Sequence, residues 1–133
     1  MDIEALVATA RDAQQRAIAP YSEYEVGAAI ATADGTHYGG CNFEVANYSN
    51  SLHAECVALV RALFDEHRSF DAIAVTTADR SGATPCGLCR QTLLEYCDPS
   101  LQVYTDRGAA VDKYELGELL PAAFTGDELD RVD

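Results

Sequence analysis

A histidine, a glutamate and a cysteine lie close together in the stretch S-L-H-A-E-C-V-A-L, residues 51–59, at the start of an apolar run that predicts a helix. Taken alone, the group decides little. His53 could be a partly buried histidine, Glu55 a solvated acid that suits the helix dipole, and Cys56 a small core residue. A metal or catalytic role for them therefore depends on what the rest of the chain supplies.

A second group of chemistry-bearing residues stands in T-P-C-G-L-C-R, residues 84–90. Cys86 and Cys89 are three residues apart at a predicted helix start, so both thiols can face one point, and a helix N-terminus favours the thiolate form. One imidazole, from His53, and two thiolates are ligands that suit Zn²⁺. Three protein ligands leave the fourth tetrahedral position open for water, whose pKa zinc lowers toward neutrality. The sequence thus predicts one catalytic Zn²⁺ per chain.

A catalytic zinc site also needs a group that takes and gives a proton, and Glu55 is the candidate. Residues i and i+2 do not share a helix face, so Glu55 and His53 can serve one site only if the metal lies over the helix end. The main alternative is a structural zinc module with four protein ligands, in which Cys56 or Cys41 is the fourth. A thioredoxin-like use of the C-x-x-C pair is a further alternative, which gives the histidine and the glutamate no role.

The elements that must position these residues alternate along the chain. The pattern predicts a helix over 3–18 ended by Pro20, strands over 25–32 and 37–42 around a D-G turn, a helix from about 52 to 67 capped by Asn50-Ser51, a strand over 70–77, a helix from Thr84-Pro85 to about Cys97, strands over 101–105 and 109–114, and a short helix or turn over 116–124. This order predicts a single α/β domain over residues 1–133, with helices on the faces of one mixed sheet. Helices that follow parallel strands start at the same edge of a sheet, which would bring the two groups together.

Composition narrows the class of protein. Asp and Glu number 22 against 9 Lys and Arg, and the net charge is −13, with Lys113 the one lysine. So acidic a surface repels phosphate backbones and argues against a nucleic-acid partner. It suggests adaptation to a salt-rich cytoplasm; the alternative is an ordinary acidic protein. No apolar run predicts a membrane span or signal peptide, and five cysteines without a secretion signal argue against disulfides, so we expect a cytoplasmic protein.

The pattern H-x-E…P-C-x-x-C is the signature of zinc nucleobase deaminases, and the chain resembles the small cytidine deaminases over nearly its whole length. The resemblance rests on A-P-Y-S-E-Y-E-V-G-A-A (19–29), G-C-N-F-E (40–44), H-A-E (53–55), P-C-G-L-C-R-Q (85–91) and L-L-P-A-A-F (119–124). It implies a three-layer α/β/α sandwich with a five-stranded sheet, and a homotetramer. It also implies hydrolysis of cytidine and deoxycytidine to uridine and deoxyuridine with release of ammonia, as in pyrimidine salvage.

The resemblance also implies a role for each site residue. His53, Cys86 and Cys89 hold the zinc, while Glu55 takes a proton from the bound water, delivers it to N3 of the pyrimidine and later helps to protonate the leaving amine. The remaining implied site residues bind substrate or support the ligands: Asn42 and Glu44 at the ribose, Ala54, Tyr24 beside the substrate, Phe124 reaching the neighbouring subunit's site, and Arg90 donating to the ligand sulfurs. For both aromatics core packing is the alternative, and for Arg90 a surface charge.

The chain departs from the family pattern at three places. Many relatives have cysteine at the position of His53 together with arginine at that of Cys56. Two thiolates and a neutral imidazole already balance Zn²⁺, so no arginine is needed and Cys56 is expected to pack. Val45 replaces a usual asparagine, and Tyr24 replaces a usual phenylalanine, whose added hydroxyl needs a partner. Within the enzymes, deaminases of nucleoside antibiotics, nucleotides or nucleic acid remain alternatives; the acidic charge disfavours the last two.

Overall fold

The computed structural model describes residues 1–129; residues 130–133 lie outside the described part. The strands are β1 (Val26–Thr32), β2 (His37–Cys41), β3 (Phe70–Thr77), β4 (Gln102–Asp106) and β5 (Val111–Glu115). The helices are α1 (Ile3–Gln14), α2 (Ala54–Phe64), α3 (Gly87–Tyr96), α4 (Leu116–Leu119) and α5 (Gly126–Leu129), and a short 3-10 helix (Tyr48–Asn50) precedes α2. Within residues 1–129 no helix has the length and apolar character needed to cross a bilayer.

The five strands form one mixed sheet in the order β2-β1-β3-β4-β5. β1 is antiparallel to both β2 and β3, β3 is parallel to β4, and β4 is antiparallel to β5. One apolar cluster lies between the sheet and α1, and a second lies between the opposite face and α2 with α3. The predicted mixed α/β fold with helices on both faces is confirmed.

Small residues let the helices lie directly on the sheet. In β1, Ala29 and Ala31 face α1, while Ala28 and Ile30 face α2 and α3, and all four are buried. In β2, a Cβ atom at Gly40 would overlap the main chain of Ala54 and Ala58 in α2. The glycine therefore fixes how closely the first turn of α2 approaches the sheet.

An ion-pair network joins α1 to the end of β4. The carboxylate of Asp106 is 2% exposed and accepts hydrogen bonds from Arg11 at 2.7 and 2.8 Å and from the hydroxyl of Thr76 at 2.8 Å. Arg80 lies 3.6 Å from the same carboxylate. Burial alone would raise the pKa of Asp106, but the hydrogen bonds from Arg11, Gly108 and Thr76 lower it to about 2. The network ties the first helix to the sheet through a permanently charged acid.

The first predicted helix ends earlier than the sequence indicates. α1 stops at Gln14 and not near residue 18, because Ile18 pairs with the chain around Phe43. The amide of Ile18 donates to the carbonyl of Asn42 at 3.0 Å, and its carbonyl accepts from the amide of Glu44 at 2.9 Å. These bonds hold the segment before β1 beside the residues that follow β2.

The predicted caps of the second and third helices are wrong. α2 begins at Ala54 after His53, whereas Asn50 lies in the 3-10 helix and Leu52 pairs with Phe43. α3 begins at Gly87 with Cys86 in the cap position, not at Thr84-Pro85. In both cases a predicted metal ligand occupies the place that a capping side chain was expected to fill.

Candidate active site

The N-terminal ends of α2 and α3 meet at one edge of the sheet. β2 and β3 are each antiparallel to β1, so they run in the same direction and the helices that follow them start at the same end. His53 is the cap residue of α2 and Cys86 that of α3, and neither side chain makes a capping hydrogen bond. The fold therefore turns two residues 33 positions apart toward one point.

Three donor atoms converge there. His53 Nδ1 lies 3.2 Å from Cys89 Sγ and 3.3 Å from Cys86 Sγ, and the two sulfur atoms are 3.7 Å apart. Tetrahedral zinc with its usual bond lengths separates two sulfur ligands by about 3.8 Å and a nitrogen from a sulfur by about 3.5 Å. The spacing and the chemistry of the donors both fit Zn²⁺.

A fourth protein ligand is not in place among residues 1–129. The donor atoms of His53, Cys86 and Cys89 form the group lying within 4.8 Å of one another, and Cys56 and Cys41 are outside it. Cys56 Sγ does lie 3.8 Å from Cys89 Sγ. Contact with Cys56 and burial raise the pKa of the Cys89 thiol, so its thiolate needs a nearby cation such as Zn²⁺. The arrangement suits an open site more than the closed structural alternative.

Glu55 is buried beside these ligands. Its side chain is 5% exposed and lines the same cavity as His53 and Cys86. Burial raises the pKa of the Glu55 carboxyl, against a smaller lowering by its own backbone amide, His53 and Cys89. The i, i+2 spacing is no obstacle, because His53 is the extended cap residue and does not follow helical spacing. A carboxyl group that can carry a proton thus stands next to the donor group.

The cavity has a volume of about 290 Å³, and Asn42 and Glu44 line it together on the segment after β2. Asn42 accepts from the amide of Val26 at 2.9 Å and donates to the carbonyl of Tyr24 at 3.0 Å. Glu44 accepts from the hydroxyl and amide of Ser22 and from the Tyr21 amide, and these bonds lower its pKa. The two polar groups share one wall, and a fixed, ionised carboxylate is part of it.

Two of the other predicted substrate residues line this cavity and one does not. Ala54, 1% exposed, and Tyr24, 37% exposed, are both in its wall. Phe124 is 60% exposed and lies outside it, with its carbonyl accepting from Gln91 Nε2 at 2.8 Å. Val45 is also absent from the wall, so the departure at this position does not alter the cavity within one chain.

The guanidinium of Arg90 is placed differently from the prediction. It donates to the carbonyl of Pro85 at 2.6 Å, the carbonyl of Leu119 at 2.7 Å and the hydroxyl of Thr84 at 2.8 Å, and not to the ligand sulfurs. Each of the three guanidinium nitrogens thus donates to one oxygen acceptor. Arg90 therefore joins the segment before Cys86 to the end of α4.

Two residues at this site were not found from the sequence. Ser22 lines the cavity and donates to Glu44, and Asp79 accepts from the hydroxyl of Tyr24 at 3.1 Å. Both lie in irregular segments, where polar residues are common and no spacing rule applies. One indication of Asp79 was present in the sequence: the hydroxyl of Tyr24 needed a hydrogen-bond acceptor.

Comparisons with known proteins agree with this geometry. Residues 1–105 match the sequence model of the cytidine and deoxycytidylate deaminase zinc-binding region. The cytidine deaminase of Sporosarcina psychrophila is 41% identical over 97% of this chain and 96% of its own length. That of Halalkalibacterium halodurans is 36% identical over 97% of this chain and 98% of its own.

Solved structures give the same result. The crystal structure of cytidine deaminase from Burkholderia pseudomallei has a TM-score of 0.89 and 42% identity, over 93% of this chain and all of that one. The Mycobacterium tuberculosis enzyme has a TM-score of 0.84 and 35% identity, over 93% of this chain and 98% of that one. With the match to the family's sequence model, the full-length relatives and the shared fold, the chain belongs to the cytidine deaminase family.

Proposed function

We propose that this chain is a zinc-dependent cytidine deaminase of pyrimidine salvage, which converts cytidine and deoxycytidine with water to uridine and deoxyuridine and ammonia. One observation carries the proposal. A buried glutamate stands beside a three-donor metal group on the wall of a cavity that is also lined by an amide, Asn42, and a carboxylate, Glu44. This combination supplies water activation, proton transfer and sugar recognition in a single enclosed space.

His53, Cys86 and Cys89 would hold the metal. When bound by three protein ligands, zinc keeps one position for water and lowers that water's pKa. Glu55 would carry two protons in turn. It removes one proton from the attacking water and gives it to N3 of the pyrimidine, and it then takes the second proton from the new C4 hydroxyl and gives it to the amino group as the C4–N bond breaks and ammonia leaves. Its low exposure keeps competing water away during these transfers.

Substrate recognition is proposed to rest on Asn42 and Glu44 at the ribose, with Ala54 and Tyr24 beside the base. The wall of the cavity carries no lysine or arginine among the described residues, whereas it does carry the carboxylate of Glu44. A phosphate group would meet an anion there and no balancing cation, so nucleosides are favoured over nucleotides. The net charge of −13 likewise disfavours nucleic acid.

The test compares substrates on the wild-type protein. Ammonia release is measured with cytidine, deoxycytidine, cytidine monophosphate, single-stranded DNA and a blasticidin-type antibiotic, in concentrated KCl. Turnover of the two nucleosides at least a hundredfold above the monophosphate is expected. Turnover of the antibiotic alone, or of none of these by protein carrying one zinc per chain, would overturn the proposed function.

We also propose a homotetramer whose subunits pack through the outer face of α2. Val60 is 56% exposed and Phe64 is 87% exposed, one helical turn apart in α2, and Leu52, in the segment just before this helix, is 55% exposed. Such an apolar strip is typical of a protein contact. The exposed ring of Phe124 fits the predicted reach into a neighbouring site. Sedimentation of wild type and Phe64→Ser is expected to give tetramers and smaller species respectively; identical sedimentation would argue against this face.

A cytoplasmic location and a single catalytic domain over residues 1–133 complete the proposal. The five cysteines are free, and two of them are proposed metal ligands, which a reducing compartment preserves. Fractionation of the producing cells is expected to recover the protein with cytoplasmic markers, and recovery with secreted or periplasmic markers would contradict this.

A further inference from the structure

Three groups of Tyr24 form hydrogen bonds: its backbone amide, its carbonyl and its side-chain hydroxyl. Its backbone amide donates to the hydroxyl of Ser22 at 3.0 Å, and its carbonyl accepts from the side-chain amide of Asn42 at 3.0 Å. Tyr24 is one of the residues that line the cavity, and its hydroxyl donates to Asp79 Oδ1 at 3.1 Å. The main-chain bonds fix where the side chain starts, and the hydroxyl bond fixes where it ends.

The acceptor for that hydroxyl is itself fixed. The same oxygen of Asp79 accepts from the hydroxyl of Thr77 at 2.7 Å and from the amide of Ser81 at 3.2 Å. The bonds from Thr77, and less strongly from Ser81 and Tyr24, lower the pKa of the Asp79 carboxyl, so the acceptor is charged at neutral pH. A hydrogen bond to an ionised acceptor is stronger than one between neutral groups. Asp79 is therefore a rigid anchor at the end of β3.

The bond between the two residues joins the two sides of the cavity. Tyr24 belongs to the segment before β1, which also carries the contacts to Asn42 and Glu44. Asp79 begins the loop that leads from β3 to the proposed ligand Cys86. An aromatic ring without a hydroxyl could line the cavity equally well but could not make this connection.

We propose that Asp79 is a positioning residue of the active site, which holds the ring of Tyr24 against the bound nucleoside through the tyrosine hydroxyl. The inference rests on the proposed function, because it assigns Asp79 a part in binding that function's substrate. It concerns substrate affinity and not the proton transfers, since Asp79 does not line the cavity.

The experiment is a double-mutant cycle with four proteins: wild type, Asp79→Ala, Tyr24→Phe and the double variant. kcat and KM for cytidine, the dissociation constant for uridine, and zinc content are measured on each. Asp79→Asn keeps an oxygen acceptor and serves as the conservative variant. Asp98→Ala is the matched control, because Asp98 likewise accepts from a nearby serine in an exposed turn, and that serine, Ser100, is far along the chain from Tyr24.

In the tyrosine background, Asp79→Ala is expected to raise KM for cytidine and the uridine dissociation constant about threefold to tenfold, with kcat within about twofold and zinc retained. Asp79→Asn recovers most of this loss and Asp98→Ala shows none. In the Tyr24→Phe background the same alanine substitution has little effect, because the bond it removes is already absent.

Three results would overturn the inference: no change in KM on removing Asp79, an equal change in both backgrounds, or loss of zinc. Either of the last two results would mean that Asp79 stabilises the loop that contains it and does not position Tyr24. Failure of the proposed function is separate, because it appears in the wild type. A wild type that binds uridine without deaminating cytidine still reports the coupling through the dissociation constants, and a wild type that does neither removes both proposals.

Discussion

At the scale of single residues, the site depends on which thiols reach the metal. Cys89 is fully buried between Cys86 and Cys56, and its sulfur lies 3.7 Å from that of Cys86 and 3.8 Å from that of Cys56. These two nearly equal distances do not show which of the two neighbouring cysteines is the second sulfur ligand. The position of His53 identifies Cys86 as that ligand, because His53 Nδ1 is close to both Cys86 and Cys89. We therefore propose that Cys56 packs beside a metal ligand and that the metal would keep one position open.

Replacing Cys56 tests this assignment. Cys56→Ala is expected to keep one zinc per chain and to change kcat/KM by less than about tenfold, because a neighbour of a ligand tunes the metal and does not hold it. Cys89→Ala, the matched control, is expected to lose zinc. Zinc is measured by atomic absorption after gel filtration with a weak chelator. Equal loss from both variants would indicate a closed four-ligand site.

At the scale of elements, the start of α2 is set by how closely the helix lies on β2. His53, Ala54 and Glu55 stand at this start, and Gly40 faces the first turns of the helix. A displacement of this helix end moves a metal ligand and the proton carrier together. Precision at the site therefore depends on a residue that has no chemistry of its own.

Gly40→Ala is expected to lower the free energy of unfolding by about 1–3 kcal/mol, since the added methyl group overlaps the main chain of α2. Zinc affinity and kcat/KM are expected to fall with it. Gly126→Ala is the control, because a Cβ atom there meets no other group. Urea unfolding and zinc titration measure both effects. A Gly40 variant as stable and active as this control would show that the contact does not set the site.

The contact between α1 and β4 gives a pH-dependent stability. The pKa of Asp106 in the folded protein is about 2, below its ordinary value, so the charged form stabilises the fold above about pH 4. That contribution is lost as pH falls from about 4 to about 2. Asp106→Asn is expected to cost on the order of 2 kcal/mol at pH 7 and much less near pH 2. Denaturant unfolding of both proteins across this range measures it, and a difference independent of pH would contradict the assignment.

At the scale of the whole molecule, charge and assembly are linked. The chain has 22 acidic residues and nine basic ones, so its excess negative charges repel one another within a chain and between copies of it. Salt screens that repulsion. The proposed subunit contact through α2 is apolar at Val60 and Phe64. Association through such a face must overcome the repulsion of two acidic molecules.

Activity and assembly are therefore expected to fall together when KCl is lowered from molar to about 0.05 M, where the Debye length is several times longer. Sedimentation velocity and ammonia release at a series of salt concentrations measure the two quantities. The control is a matching concentration series of a neutral osmolyte, which does not screen charge. Unchanged sedimentation and equal activity across the salt series would remove the salt-adaptation hypothesis.

The sequence predicted the parts of the fold that follow from local pattern. The five strands of residues 1–129 occur close to the predicted ranges, with β2 predicted from the D-G turn before it, and β3 has the predicted bounds, Phe70–Thr77. The helix ends were wrong because they depend on distant partners: Ile18 and Leu52 both pair with Phe43, which no local rule reveals. The three donors that lie together in the structure could be predicted because metal chemistry restricts the residue type. The acceptors of Arg90 and Tyr24 were not, because many oxygen atoms could have served.

The central claim is that zinc is held by three side chains and the proton is carried by a fourth, and one measurement tests it most directly. Ammonia release from cytidine and zinc content are determined for wild type and Glu55→Gln in concentrated KCl. The glutamine is of similar size but cannot carry the proton, so turnover is expected to fall by at least about a thousandfold while one zinc per chain remains. A Glu55→Gln protein that deaminates cytidine at a rate near that of wild type, or that loses its zinc, would contradict the account.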